Sequence, residues 1–148
     1  MFPKHLLPQV SLLAAKDFAG SKIGRDPIRI PVVAEQGVRC LTGNDCYNGY
    51  MQMVPKGSSW VGLVPARIIL TVNQYRPTKE AHKISCPALV FAAQNDSLIP
   101  LSATRKAAAK IKQVEYLEWP IGHFDWLQGR WFDEAIRVQL SFLKNHFA

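Results

Sequence analysis

Apolar positions follow two regimes along the chain. Up to residue 83 they recur at helical spacing in short stretches broken by proline and glycine; beyond it they gather into compact runs separated by amphipathic stretches. In the first regime, Val10, Leu12, Leu13, Ala14, Ala15 and Phe18 fit one broad helical face, with Gly20 and Gly24 bracketing its end. Residues 25–33 carry Pro27 and Pro31 around Ile28 and Ile30, which predicts an extended crossing segment. Residues 44–54 predict a short helix capped by Asn44, stopped by Pro55, Gly57, Ser58 and Ser59. Residues 63–75 read as a third helix, with Pro65 in its first turn and its end before Pro77. Segment 1–83 is therefore expected to be a helical and loop layer packed on something else, without the alternation of a self-sufficient sheet.

From residue 84 the pattern changes. Residues 87–93, Pro-Ala-Leu-Val-Phe-Ala-Ala, form an almost continuously apolar run, as expected of a strand covered on both faces. Residues 101–112 place Ala103, Ala107, Ala108 and Ile111 on one side and Arg105, Lys106, Lys110 and Lys112 on the other, an amphipathic helix with a solvated basic face. Residues 114–119 predict a second strand, and residues 130–147 a final helix apolar through Phe132, Ala135, Ile136, Leu140, Leu143 and Phe147. Strand, helix, strand, helix makes a βαβα unit, so the two strands should be parallel. The expected class is α/β, with a lid-like segment over residues 1–83 and the βαβα part over 84–148.

Composition narrows the setting. The chain has 148 residues, 48% of them hydrophobic, which suits a globular domain with a real core. Lys and Arg exceed Asp and Glu by 18 to 11, a net charge of +7. The basic residues are scattered and no recognition motif accompanies them, so no nucleic-acid partner is expected. Cys40, Cys46 and Cys86 are odd in number and lack paired spacing, which argues against a metal site. Cys86, at the lip of the apolar run, reads as a buried thiol in a reducing compartment. Pro3, Lys4, His5 and Pro8 interrupt any signal-like start, and no stretch is apolar over the ~18 residues of a membrane span. A cytoplasmic protein without a membrane partner is the expectation.

The chemistry gathers after the two predicted strands. In parallel α/β sheets reacting groups sit in loops beyond the C-terminal strand ends. Asp96, in Gln-Asn-Asp-Ser-Leu-Ile-Pro, and His123, in Pro-Ile-Gly-His-Phe-Asp, each fall there. A carboxylate so placed can accept a hydrogen bond from one imidazole nitrogen and leave the other as a general base. Taken singly, Asp96 is equally a turn aspartate and His123 a loop histidine bonded to backbone. Asp125 is the competing acid, though its position two residues past His123 suits capping of the helix that follows.

Residues 84–100 followed by Pro120-Ile-Gly-His-Phe124 resemble the closing section of the α/β-hydrolase superfamily, where the last two strands deliver an acid in an Asp-x-x-x-Pro loop and a base in a Gly-His loop. The resemblance implies Asp96 as acid and His123 as base. Residues 40–83 resemble, more loosely, the helical lid of polyketide-transferase-like and peptidase-like branches. Two departures stand out. Ala93 replaces a frequent glycine, and no Gly-x-Ser-x-Gly nucleophile elbow occurs: Ser11, Ser21, Ser58 and Ser59 all stand outside that pattern. The implied protein is the C-terminal, truncated half of a serine hydrolase or acyltransferase acting on an ester, thioester or amide, inactive alone and needing no cofactor. Tyr47, Tyr50, Met51 and Trp60 either line its acyl pocket or pack lid helices on the core. Arg76 and Lys79 suit solvated surface. The expected partners are a small acyl substrate and either a second copy or the missing N-terminal half. The rival reading is a non-catalytic interaction or dimerisation module that retains the hydrolase tail.

Overall fold

A computed structural model describes residues 4–147; Pro3 and the first two residues lie outside the described part. The chain forms two compact units, residues 1–75 and 76–148.

In the first unit, helix α1 (Leu7–Ser21) starts with Pro8 in its first turn, where a missing N–H costs nothing. It runs through Gly20, and the chain then turns at Gly24, whose φ of 72° suits glycine. Strand β1 (Arg29–Pro31) pairs antiparallel with β2 (Leu63–Pro65), Ile30 opposite Val64. This ribbon corrects the helical reading of residues 63–75: Pro65 ends a strand, and helix is confined to α3 (Ile68–Thr71) with a 3-10 turn over Val72–Gln74. Pairing satisfies Ile30 and Val64 in a way that local propensity could not report. Helix α2 (Cys46–Met53) begins after Asp45, so Asn44 is not its cap.

The core of this unit is Val10 from α1, Ile30 from β1 and Ala66 just past β2, with Leu13, Val38, Val64 and Ile69 packed around them. Asp17 lies on the same helix and is only 1% exposed. Its Oδ1 accepts the N–H of Ile28 at 2.8 Å, and its Oδ2 accepts the N–H of Arg67 at 2.8 Å and faces Arg67 Nε at 3.2 Å. One carboxylate thus ties α1 to the entry of β1 and the exit of β2.

The second unit opens with two 3-10 turns, Pro77–Lys79 and Ala81–Lys83, and Lys110 Nζ donates to the Thr78 carbonyl at 2.9 Å. Strand β3 (Ala88–Ala93), helix α4 (Leu101–Ala108), strand β4 (Val114–Trp119) and helix α5 (Gly129–Phe147) follow. The strands are parallel and in register, Phe91 opposite Leu117 and Ala93 opposite Trp119. Tyr116 and Glu118 meet α4, where Arg105 grips Glu118 with Nε at 2.6 Å and Nη2 at 2.7 Å and the Tyr116 hydroxyl donates to Glu118 at 2.7 Å. Arg105 is therefore a strut between α4 and β4, not part of a merely solvated face. Its grip holds the Glu118 carboxyl down to about 2, chiefly through those hydrogen bonds. Phe91, Trp119 and Trp126 form a mutual aromatic cluster with centroids 5.1–5.2 Å apart.

Two expectations need correction. In β3 only Ala92 and Ala93 are buried, while Leu89, Val90 and Phe91 are half-exposed, because the sheet has just two strands among the described residues. Cys86 is exposed, since β3 begins two residues later; the buried thiol is Cys46. Burial pushes the Cys40 thiol up from its ordinary value.

Removing the Asp17 carboxylate strands the buried N–H groups of Ile28 and Arg67. Asp17→Ala should destabilise the first unit by about 3 kcal/mol or more, read by urea unfolding; a loss within ~0.5 kcal/mol would show that the tie carries no weight.

Candidate functional site

The pairing of β3 and β4 continues past the strand ends. Gln94 N–H donates to the Trp119 carbonyl at 2.8 Å and Asn95 N–H to the Ile121 carbonyl at 3.0 Å. Parallel strands leave their sheet on the same side, ~5 Å apart, and these two bonds hold the departing chains together to within one residue of Asp96.

Asp96 divides its oxygens. Oδ1 accepts the N–H groups of Leu98 and Ile99, both at 2.8 Å, and so closes its own loop; Oδ2 lies 2.9 Å from His123 Nδ1. Turn aspartate and imidazole partner are thus one residue performing both tasks. The Asp96 side chain is 9% exposed and that of His123 30%. Burial opposes ionisation of Asp96, yet the bonds from Ile99, His123 and Leu98 outweigh it and hold the carboxyl below its ordinary value. An ionised Oδ2 requires the proton on Nδ1 of a neutral ring, which leaves the Nε2 lone pair to accept a proton.

The histidine loop has its own supports. Ile121 and Phe124 on either side are 3% and 6% exposed. The Phe124 ring meets the imidazole edge-on with centroids 4.9 Å apart. Asp125 neither pairs with His123 nor caps α5; it lies in a 3-10 turn (Asp125–Leu127) and its Oδ2 accepts the Gly122 N–H at 2.7 Å. It closes the histidine loop as Asp96 closes the acid loop. Sequence reading missed this role, although an aspartate three residues past a glycine N–H is a spacing at which such a turn closes.

The apolar candidates lie in the first unit. Tyr47, Tyr50 and Met51 fall on α2 at i, i+3 and i+4, one helix face. Tyr50 stacks on Trp60 with centroids 5.2 Å apart and an interplanar angle of 23°. Trp60 folds over Gly62, whose φ is 63°; a Cβ there would sit 2.9 Å from the ring. Met51 and Trp60 are exposed, Tyr47 and Tyr50 half-buried.

Because the Asp96 carboxyl titrates below its unfolded value of ~3.9, its contribution is fully present above that value and lost as pH falls through the lower folded one. Asp96→Ala should therefore cost about 1–3 kcal/mol at neutral pH, and the gap between variant and parent should close as the medium is acidified below ~4. Denaturant unfolding across a pH series checks this; a gap that stays constant would place the stabilisation elsewhere.

No protein-family model matches the chain. The Quorum-quenching protein AidA of Acinetobacter baumannii (strain MDR-ZJ06) is 33% identical over 133 residues, 89% of this chain and 44% of AidA. Among solved structures, DcsB in complex with its substrate analogue superposes with a TM-score of 0.74 at 16% identity, over 99% of this chain and 52% of DcsB. The α/β hydrolase GrgF from Penicillium sp. sh18 gives 0.69 at 21%, over 94% and 49%. Paleococcus ferrophilus monoacylglycerol lipase gives 0.59 at 18%, over 92% and 52%. The chain spans about half the length of these proteins, and over that span it has the fold of an α/β hydrolase.

Proposed function

We propose that this chain carries the acid and base of a serine-type acyl hydrolase or acyltransferase, as the C-terminal half of the complete enzyme. The observation that carries the reading is the 2.9 Å bond between Asp96 Oδ2 and His123 Nδ1 at the shared end of two parallel strands. In the complete enzyme a serine Oγ attacks the carbonyl carbon of an ester, thioester or amide while His123 Nε2 takes its proton. His123 then returns that proton to the leaving oxygen, sulfur or nitrogen, and Asp96 holds the ring and offsets the positive charge it gains. The lipase with which this chain shares its fold acts on a monoacylglycerol by its name, which favours esters among the three. Tyr47, Tyr50, Met51 and Trp60 form the apolar surface we assign to the acyl group.

The 148 residues contain no Gly-x-Ser-x-Gly. Without a nucleophile or the donors that stabilise a tetrahedral oxyanion, the chain alone is inactive. A reducing, cytoplasmic setting fits the three free thiols, and neither nucleic acid nor membrane enters the proposed reaction. The second reading, an interaction module without catalysis, draws on a different observation, the exposed apolar side of α5.

The purified chain should hydrolyse activated aryl esters no faster than its His123→Ala variant and take no label from a serine-directed fluorophosphonate. Extended upstream by its native sequence to the length of its relatives, it should hydrolyse and label, and His123→Ala should lower kcat by roughly 10⁴-fold or more. Stoichiometric labelling of the present chain, or an extended enzyme indifferent to His123, would contradict the assignment.

A further inference from the structure

The acid loop, residues 94–100, leaves β3 after Ala93 and enters α4 at Leu101. Asp96 lies inside it, and the imidazole it serves follows the other strand, β4. The bonds from Leu98 and Ile99 to Asp96 Oδ1 set the shape of the loop. Its place beside His123 depends on what fastens the two ends of the loop to β4.

One side chain of β4 reaches both ends. Glu118 lies next to the last residue of the strand, on the face turned toward α4. Where the loop enters α4, Arg105 grips it with two parallel bonds, Nε to Oε1 at 2.6 Å and Nη2 to Oε2 at 2.7 Å. Such a fork fixes direction as well as distance. The helix held in this way begins at the last residue of the loop, where the Ala103 N–H donates to the Pro100 carbonyl at 2.8 Å. Where the loop leaves β3, the Gln94 side chain hydrogen-bonds the same Glu118 carboxylate. Gln94 follows Ala93, so strand alternation turns it to the Glu118 face. The Tyr116 hydroxyl, donating to Oε1 at 2.7 Å, orients the carboxylate from within its own strand. A strut between α4 and β4 needs only the Arg105 pair. The Gln94 bond adds the second end and closes a ring through Glu118, Gln94, Asp96 and Arg105.

We infer that Glu118 is a positioning residue for the acid and base: through Gln94 and Arg105 it ties both ends of the acid loop to the strand that leads to His123, and so sets the placement of Asp96 against the imidazole. The inference rests on the reading of Asp96 and His123 as acid and base. Glu118 acts through its partners and has no contact with the reacting atoms in the proposed reaction.

Long-range proton–nitrogen correlation NMR on the histidine-labelled full chain tests it, at a pH where the ring is neutral and a temperature well below the melt. The readout is the ratio of the two His123 tautomers, which a loss of stability alone does not move. The parent should favour the form protonated on Nδ1, and Asp96→Ala marks the ratio without the acid. Glu118→Ala should lower the parent ratio roughly tenfold, and Gln94→Ala and Arg105→Ala should each lower it by a smaller factor. Lys110→Ala removes the bond to Thr78 just beyond α4 and leaves both loop ties in place, so it should keep the parent ratio. Far-UV circular dichroism and a cooperative melt confirm that each variant is folded; if Glu118→Ala does not fold, Gln94→Ala and Arg105→Ala decide, and a parental ratio in both overturns the inference. A folded Glu118→Ala with the parent ratio, or a loss that Lys110→Ala reproduces, overturns it while leaving the acid and base assigned. A ratio that Asp96→Ala leaves unchanged removes the acid–base reading itself, and the inference with it.

Discussion

The parallel pairing of Ala88–Ala93 with Val114–Trp119 is the constraint on which the candidate site depends. Two strands running the same way end on the same side, so the loops after Ala93 and Trp119 leave side by side. A one-residue slip of β4 would turn Trp119 from the aromatic cluster toward α4, and Tyr116 and Glu118 away from Arg105. Both faces of the sheet thus fix one register, and that register sets Asn95 against Ile121 and brings Asp96 within 2.9 Å of His123.

Two carboxylates show how like residues come to different ends. Asp17 spends both oxygens on the backbone of Ile28 and Arg67 and on the Arg67 side chain, and is wholly buried. It is a structural tie. Asp96 spends one oxygen on its own loop and offers the other to an imidazole that is 30% exposed. The loop bonds make the acid rigid, the imidazole makes it useful, and Asp125 provides the matching rigidity on the histidine side through Gly122.

The second half of the chain was legible because its signals are dense. A six-residue apolar strand, an amphipathic helix, a second strand and a long apolar helix follow one another without competing patterns, and the two loop motifs sit where strand ends must place them. The first half was less so. Strands β1 and β2 are three residues long and each ends on a proline, Pro31 and Pro65, so neither shows an alternation to read. Each is a strand only because the other is there, 34 positions away in register. Asp17 offered no signal at all: on the sequence it is a polar residue within a helix, and its partner Arg67 is 50 residues distant. Cys86 borders the apolar run without being covered by it, because the strand starts two residues later at Ala88.

The central claim is that Asp96 fixes His123 in the form that carries its proton on Nδ1 and leaves Nε2 as the base. The most direct measurement is long-range proton–nitrogen correlation NMR on histidine-labelled protein at a pH where the ring is neutral. The account predicts that Nδ1 of His123 is protonated and Nε2 bare, with the pattern lost in Asp96→Ala. A His123 ring protonated on Nε2 in the parent, or a tautomer unchanged by removal of Asp96, would contradict it.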